Sequence, residues 1–141
     1  MTRIQRANDT NKMEEPDEKI VYRELSYKIT GLLFKVHRQL GKQCREKQYG
    51  DALEKLLKAE KVEFEREKPL PIPAIDRTNT NIVDFTVDDK MLIDLKAKPF
   101  VTKDDYYQMN RYLDACGYRL GLIVNFHNTY LKPIRVLHQH L

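Results

Sequence analysis

The chain has 141 residues and a net charge of +4, which fits one soluble globular domain with a single core. No run approaches the roughly 18 apolar residues of a membrane span, and the N-terminus lacks the apolar segment of a secretory signal. The two cysteines, Cys44 and Cys116, are far apart and match neither a disulfide framework nor a zinc motif. We therefore expect a cytoplasmic protein, and the positive charge mildly favours polyanionic partners.

The first half of the chain is predicted to hold two helices. Residues 1–16 are polar and lack periodicity, so we expect a flexible tail ahead of a single domain at residues 17–141. Asp17 can cap the first helix and Gly41 can end it. Its apolar positions recur at helical spacing: Val21, Leu25, Ile29, Leu32, Val36 and Leu40. The second helix is predicted at about residues 45–60, with Tyr49, Leu53 and Leu56 on its buried face and Ala52 and Leu57 beside that face.

The second half changes period and is predicted to be mainly strands. A strand at residues 62–64 runs into a proline-rich edge segment, and residues 76–81 form a loop. Strands at residues 82–87 and 91–97 are joined by a three-residue turn. A third helix begins near Thr102, where Asp105 can complete a capping box, and Gly117 closes it. A buried strand at 118–126 and an edge strand near 130–137, which carries Pro133, complete the order ααβββαββ. This order predicts an α/β fold bordering on α+β, with a central mixed sheet flanked by helices.

The hairpin at residues 82–97 carries acids where a half-buried strand rarely has them. Strand alternation predicts one apolar face made of Val83, Phe85, Val87, Met91, Ile93 and Leu95. The other face holds Asp84, Thr86, Leu92, Asp94 and Lys96. If Val87 pairs with Met91, then Asp84 lies opposite Asp94, and two facing carboxylates repel unless a positive charge lies between them.

Two sources of positive charge are available to these acids. Lys96 supplies one charge, and a divalent cation that prefers oxygen ligands, Mg²⁺, Mn²⁺ or Ca²⁺ rather than zinc, would supply two. A metal beside an ammonium suits phosphodiester hydrolysis, because the metal acidifies a bound water and the lysine positions it or stabilises developing charge. A structural ion pair or a solvated sheet face is the alternative explanation of the same residues.

Three helical residues join this predicted site. Glu46 lies three residues before Tyr49, so it is predicted to project from the buried face of the second helix, although an acid at a helix N-terminus is also simply stabilising. Gln108 and Tyr112 are four residues apart and share one face of the third helix, where both could equally be polar-tipped core residues.

The ordered set resembles the PD-(D/E)xK nuclease superfamily: a helical Glu, a strand Asp, a strand Asp-x-Lys and a helical Gln-x-x-x-Tyr. More narrowly, residues 22–137 resemble small prokaryotic proteins named for a GxxExxY motif. The segments that carry this resemblance are ELSYKITGLLFKVHRQLG, Glu46 with Tyr49, FEREKPLPI, VDF, IDLKA and GLIVNF. Gln43 stands where that motif has its glycine, and Val83 stands where the superfamily name has its proline.

The resemblance implies a Mg²⁺-dependent nuclease, with DNA favoured over RNA. It implies that Asp84, Asp94, Glu46 and the backbone carbonyl of Leu95 bind the metal. Lys96 would position the attacking water, and Gln108 and Tyr112 would orient Lys96, the water or the phosphate. Glu46 would complete the metal shell directly or through water.

Other functions remain open at the level of sequence. One is a nucleic-acid-binding or scaffold module on a degenerate nuclease fold, and another is a subunit that cuts only within a complex. Three basic residues near the predicted site are candidates for binding nucleic acid: Lys98, Lys103 and Arg111. Arg119, Lys132 and Arg135 are further basic candidates, and any of the six could be solvated surface. A homo-oligomer is compatible with the sequence, which does not determine it.

Overall fold

A computed structural model describes residues 21–71 and 81–138. The predicted tail, the Asp17 cap and most of the loop before the hairpin lie outside these residues. The helices are α1 (Arg23–Leu40), α2 (Glu46–Ala59) and α3 (Lys103–Cys116). The strands are β1 (Phe64–Pro69), β2 (Ile82–Val87), β3 (Met91–Lys96), β4 (Leu120–Asn125) and β5 (Ile134–Leu137). Among the described residues, no helix is both long and apolar enough to cross a membrane.

The strands form one mixed sheet in the order β1-β2-β3-β4-β5. Only β3 and β4 are parallel, and α3 connects them, as a crossover between parallel strands requires. The element order ααβββαββ and the positions of β1 and β5 at the two edges confirm the predicted α/β architecture.

Two apolar clusters cover the two faces of this sheet. The larger cluster lies under α1 and α2 and takes Phe85, Val87, Met91, Ile93 and Leu95 from the hairpin. The smaller cluster lies under α3, where Met109, Tyr112 and Leu113 pack. The hairpin residues in the larger cluster are all apolar, whereas Lys96 reaches α3 on the other side of the sheet.

Several predicted boundaries are wrong in detail. Helix α1 begins at Arg23, because Tyr22 has left-handed backbone geometry with φ of 53°, so Val21 packs into the core from outside the helix. Strand β5 begins only after Pro133, which lacks the N–H that a ladder needs, and Tyr130 is exposed rather than part of the strand. On α2 the fully buried leucines are Leu53 and Leu57 rather than Leu56.

The structure also corrects the predicted position of Val83. This residue packs in the cluster under α3, opposite to the face of Phe85. The pairing of β1 with β2 skips Glu67 and Asp84, and Glu67 has a left-handed φ of 55°. Strict alternation therefore fails at Asp84, where the sheet is locally distorted.

Candidate active site

The hairpin register is as predicted next to the turn, but the ladder does not extend to the predicted pairing of Asp84 with Asp94. Val87 pairs with Met91 and Phe85 with Ile93, as predicted, across a turn in which Asp88 and Asp89 both have left-handed φ. The regular pairing stops just before Asp84, whose carboxylate instead accepts a hydrogen bond from the backbone N–H of Leu95 at 2.6 Å. The side chain of Asp84 therefore turns toward the end of β3.

The carboxyls of Asp84 and Asp94 interact directly. Burial, followed by the negative charge of Asp94 and a hydrogen bond with it, raises the pKa of Asp84 to about 8. The negative charge of Glu46 adds a smaller effect in the same direction. Two carboxyls so arranged share a proton near neutral pH unless a cation replaces it, which is the conflict that the sequence predicted.

Lys96 supplies one positive charge to this pair. Its Nζ lies 2.8 Å from Asp94 Oδ2, and the side chains of Lys96 and Asp94 are only 16% and 9% exposed. Burial lowers the pKa of Lys96, but the carboxylates of Asp94, Asp105 and Glu46 outweigh burial and leave that pKa raised. The acids around Lys96 therefore favour its ammonium form.

Helix α3 brings the predicted Gln108 and Tyr112 to the same place. The Gln108 Oε1 accepts a hydrogen bond from Lys96 Nζ at 3.3 Å, which fixes the amide against the ammonium. Tyr112 is buried, and its hydroxyl donates to the backbone oxygen of Ile82 over a long 3.5 Å. Burial and then the negative charge of Asp94 raise the pKa of Tyr112 to about 12, so its phenol keeps its proton.

Asp105 is a member of the site that sequence reasoning missed. Its predicted capping box is present, and its carboxylate accepts the Thr102 N–H at 2.8 Å. The same buried carboxylate lies 3.6 Å from Lys96 Nζ and 2.7 Å from Lys98 Nζ. Asp105 lies three residues before Gln108 on the same face of α3, and this spacing is the signal that could have identified it.

Asn125 was also missed. It ends β4, pairs in the ladder with Lys96, and is buried. Its side-chain amide donates to the carbonyl of Lys98 at 2.7 Å and accepts from the Lys98 N–H at 3.2 Å. The chain is therefore fastened to the sheet directly after Lys96, and a polar residue at the end of an otherwise apolar strand was the sequence signal.

Glu46 lies beside this site, on the same helical face as the buried Tyr49 and Gly50, but it is itself exposed. It is the first residue of α2 and is exposed, because no preceding helical turn packs it against the sheet. It lines a cleft of about 210 Å³ that also reaches Asp84 and Leu95. The structure therefore places Glu46 and Asp84 on the lining of one cleft.

Tyr49 lies three residues after Glu46 and holds the loop before α2 in place. The Tyr49 ring is buried and stacks on Phe126 with 4.1 Å between centroids. Its hydroxyl donates to the carbonyl of Gly41 and accepts from the Cys44 N–H. Tyr49 therefore anchors the α1–α2 loop from which Glu46 emerges. Gln43, in this loop, is not among the residues with positive φ, so its backbone does not require the motif's glycine.

Arg66 forms one wall of the cleft. It donates to Asp51 at 2.7 Å and Glu54 at 2.8 Å, which ties β1 to α2. A Cβ at Gly50 would lie 2.5 Å from the Arg66 guanidinium, so the glycine makes room for this contact. The two carboxylates hold Arg66 in place from the side of α2.

The predicted basic residues have different surroundings. Lys98 is paired with Asp105, whereas Lys103 and Arg111 are exposed on α3. Arg135 instead has a structural role, because it donates to the Ser26 hydroxyl at 2.7 Å and to the Val21 carbonyl at 3.1 Å.

The described residues contain no group of three or more His, Cys, Asp or Glu side chains close enough to hold a metal ion. A cation here would therefore rest on Asp84 and Asp94, with backbone oxygen, water or Glu46 completing its shell. Mg²⁺ tolerates such sites, because it usually binds one or two carboxylates and keeps several waters. The oxygen donors and the open cleft fit such an ion.

A comparison with protein families agrees with this arrangement. The family model described as the PD-(D/E)XK nuclease superfamily matches residues 23–136, which include every element of the fold except the last residue of β5. No curated protein and no solved structure gave a match to this chain. The family match spans most of the chain and includes the strand Asp, the Asp-x-Lys and the Gln-x-x-x-Tyr of the candidate site. The chain therefore belongs to the PD-(D/E)XK nuclease superfamily.

Proposed function

We propose that this protein is a metal-dependent nuclease that hydrolyses phosphodiester bonds, with DNA favoured over RNA. The observation that carries the proposal is a buried ammonium, Lys96, held 2.8 Å from Asp94 beside the raised-pKa carboxyl of Asp84. Within the superfamily we assign the chain to the group named for GxxExxY, because Glu46 and Tyr49 keep that spacing and Tyr49 shapes the loop.

The metal in this proposal is Mg²⁺, for which Mn²⁺ can substitute. Asp84 and Asp94 would hold it, with the Leu95 carbonyl and Glu46 as further oxygen donors. Such an ion, when bound, polarises the phosphoryl oxygen and acidifies water. Its charge also relieves the repulsion between two carboxyls that otherwise share a proton.

The chain's own residues supply the remaining chemistry. The Lys96 ammonium keeps its proton, so it holds the attacking water by donating to it, or it stabilises negative charge on the phosphoryl oxygens. Gln108 and Asp105 fix the direction of that ammonium. Tyr112 closes the site against the core and can donate from its phenol.

Cleavage of labelled single- and double-stranded DNA and RNA with Mg²⁺, Mn²⁺ or EDTA tests the proposal. We expect cleavage that EDTA abolishes and that Asp94→Asn removes. Asp94→Asn should also lose the increase in melting temperature that Mg²⁺ gives the unaltered protein, while remaining folded.

Asp88→Asn is the matched control, because Asp88 also stands two residues before a lysine but lies in the exposed hairpin turn. It should cleave and bind metal normally. Binding of nucleic acid without cleavage under every metal condition would favour the alternative, a non-catalytic binding module on a nuclease fold.

A further inference from the structure

One side of α3 carries an exposed aromatic ring between two cations. Lys103, Tyr107 and Arg111 are spaced four residues apart, so they form one stripe along the helix. All three are exposed, and Tyr107 is 62% exposed although it is a large aromatic residue. The opposite side of the helix is buried through Met109 and Leu113, so the stripe is not needed to pack α3.

This stripe is continuous with the candidate active site. Tyr107 immediately precedes Gln108, whose amide oxygen accepts from Lys96 Nζ at 3.3 Å. Arg111 likewise precedes Tyr112, which is buried against the face of the sheet that α3 covers. Successive helical residues are about 100° apart around the axis, so the stripe borders the side of α3 that faces the site.

A second exposed aromatic residue lies at the N-terminal end of the stripe. Phe100 is 77% exposed and lies three residues before Lys103. Its segment is held in place, because Asn125 bonds both backbone groups of Lys98. Asp104 is the exposed acid of this turn, and it is not one of the three stripe residues. The stripe itself therefore carries a positive charge.

We infer that this stripe binds an unpaired strand of nucleic acid and guides it into the site, so that the substrate class is single-stranded or frayed nucleic acid. The inference rests on the proposed function. A base can stack on Tyr107, while Lys103 and Arg111, each about 6 Å away along the helix axis, contact the flanking phosphates. A duplex cannot use the ring in this way, because its bases are already stacked on one another.

The chain has no tryptophan, so Tyr107→Trp introduces a single fluorescent reporter. We would titrate this variant with oligo(dT), with oligo(U) and with a duplex of the same length, in EDTA so that no cleavage occurs. Stacking should quench the tryptophan with both single strands, and the duplex should bind more weakly. Tyr27→Trp is the matched control: Tyr27 is 83% exposed on α1, which covers the other face of the sheet, and its fluorescence should not change.

Affinity measurements with the unlabelled variants complete the test. Tyr107→Ala should weaken single-strand binding roughly 5- to 100-fold, the range for loss of one stacked base, while Tyr107→Phe should bind normally. Equal affinity of Tyr107→Ala and the unaltered protein would overturn the inference, and so would preference for the duplex. Binding as expected without any Mg²⁺-dependent cleavage would refute the proposed activity and leave the strand-binding surface standing.

Discussion

Two Asp-x-Lys sequences in the same hairpin have opposite surroundings. Asp88 and Lys90 lie in the turn, with their charged atoms 3.9 Å apart and side chains 44% and 51% exposed. Asp94 and Lys96 lie at the end of β3, 2.8 Å apart, with side chains 9% and 16% exposed. The first pair is screened by water and contributes little to stability, as exposed ion pairs generally do. The second is largely shielded from water, so its charges depend more on the protein groups around them.

The difference arises from what the neighbouring elements contribute. Around Lys96 the structure places Gln108 and Asp105 from α3, and Asp94 in turn contacts Asp84 from β2. Around Lys90 the surroundings include the ring of Tyr22, 5.7 Å from its Nζ. An Asp-x-Lys sequence is a candidate for catalysis only where the fold places it among other polar groups in a shielded site. Asp94 with Lys96 is therefore the test pair, and Asp88 with Lys90 is its matched control.

The largest difference is expected when the lysine of each pair is removed. Lys96→Ala should lower cleavage about 100- to 1,000-fold, the typical effect of losing one preorganised electrostatic donor. Metal affinity should survive or rise slightly, because a competing positive charge has gone. Lys90→Ala should leave the rate unchanged. Cleavage rate, Mn²⁺ affinity and melting temperature should be measured on the same preparations. An unchanged rate per folded molecule of Lys96→Ala would refute the catalytic role of this strand.

A smaller effect is expected on stability, from Asp84→Asn in EDTA. The pKa of Asp84 is about 8 in the folded protein against an ordinary 3.8, so the folded state holds a proton that the unfolded state releases. The stability that this proton contributes is complete below about pH 4 and is lost as pH rises toward 8. Asp84→Asn should remove that loss, because the amide still accepts the Leu95 N–H but carries no charge.

The measurement is the free energy of unfolding from about pH 3.5 to 8.5 for both proteins. The two curves should meet below about pH 4, and the variant should be the more stable protein near pH 8. The curve of unfolding free energy against pH for Asp88→Asn should be parallel to that of the unaltered protein. A variant that is less stable at every pH would instead assign Asp84 and Asp94 to a structural ion pair with Lys96.

Local pattern alone was enough to predict much of this molecule. Alternation around Val87 and Met91 gave the hairpin register, since any shift would have turned apolar side chains out of the core. The end of α3 was also predictable, because Gly117 adopts a left-handed backbone conformation that glycine tolerates best. Asp84, Asp94, Lys96 and Gln108 were predicted to converge, and the structure brings them together.

What the sequence could not predict depends on contacts between distant segments. Val83 changed face because the ladder is interrupted at Asp84, which no propensity indicates. Glu46 proved exposed, although it shares a helical face with Tyr49, because it is the first residue of α2 and no preceding turn packs it against the sheet. Asp105 looked complete as a helix cap, and only the approach of β3 to α3 reveals its contact with Lys96.

The smallest expected effect concerns Asp105. This carboxylate lies beside Lys96 but not beside Lys90, and we do not expect it to touch substrate. Asp105→Asn keeps an oxygen for the Thr102 N–H, so the cap should survive and the helix should remain intact. It removes the negative charge 3.6 Å from Lys96 Nζ, so the ammonium is held less firmly and its pKa is raised less. We expect about a tenfold lower cleavage rate at saturating substrate. This is the low end of the loss seen when a residue that orients a functional group is removed.

The pH profile separates positioning from a merely structural role. Any alkaline fall in rate that reports loss of the Lys96 proton should move to lower pH in Asp105→Asn. Asp104→Asn is the control, because Asp104 lies in the same helical turn but is exposed, and removing it should cost only the few tenths of a kcal/mol of an N-terminal helix charge. Should Asp105→Asn lower the melting temperature while the rate per folded molecule and the pH profile stay unchanged, Asp105 is only a cap. In that case Asp84 and Gln108, without Asp105, position Asp94 and Lys96.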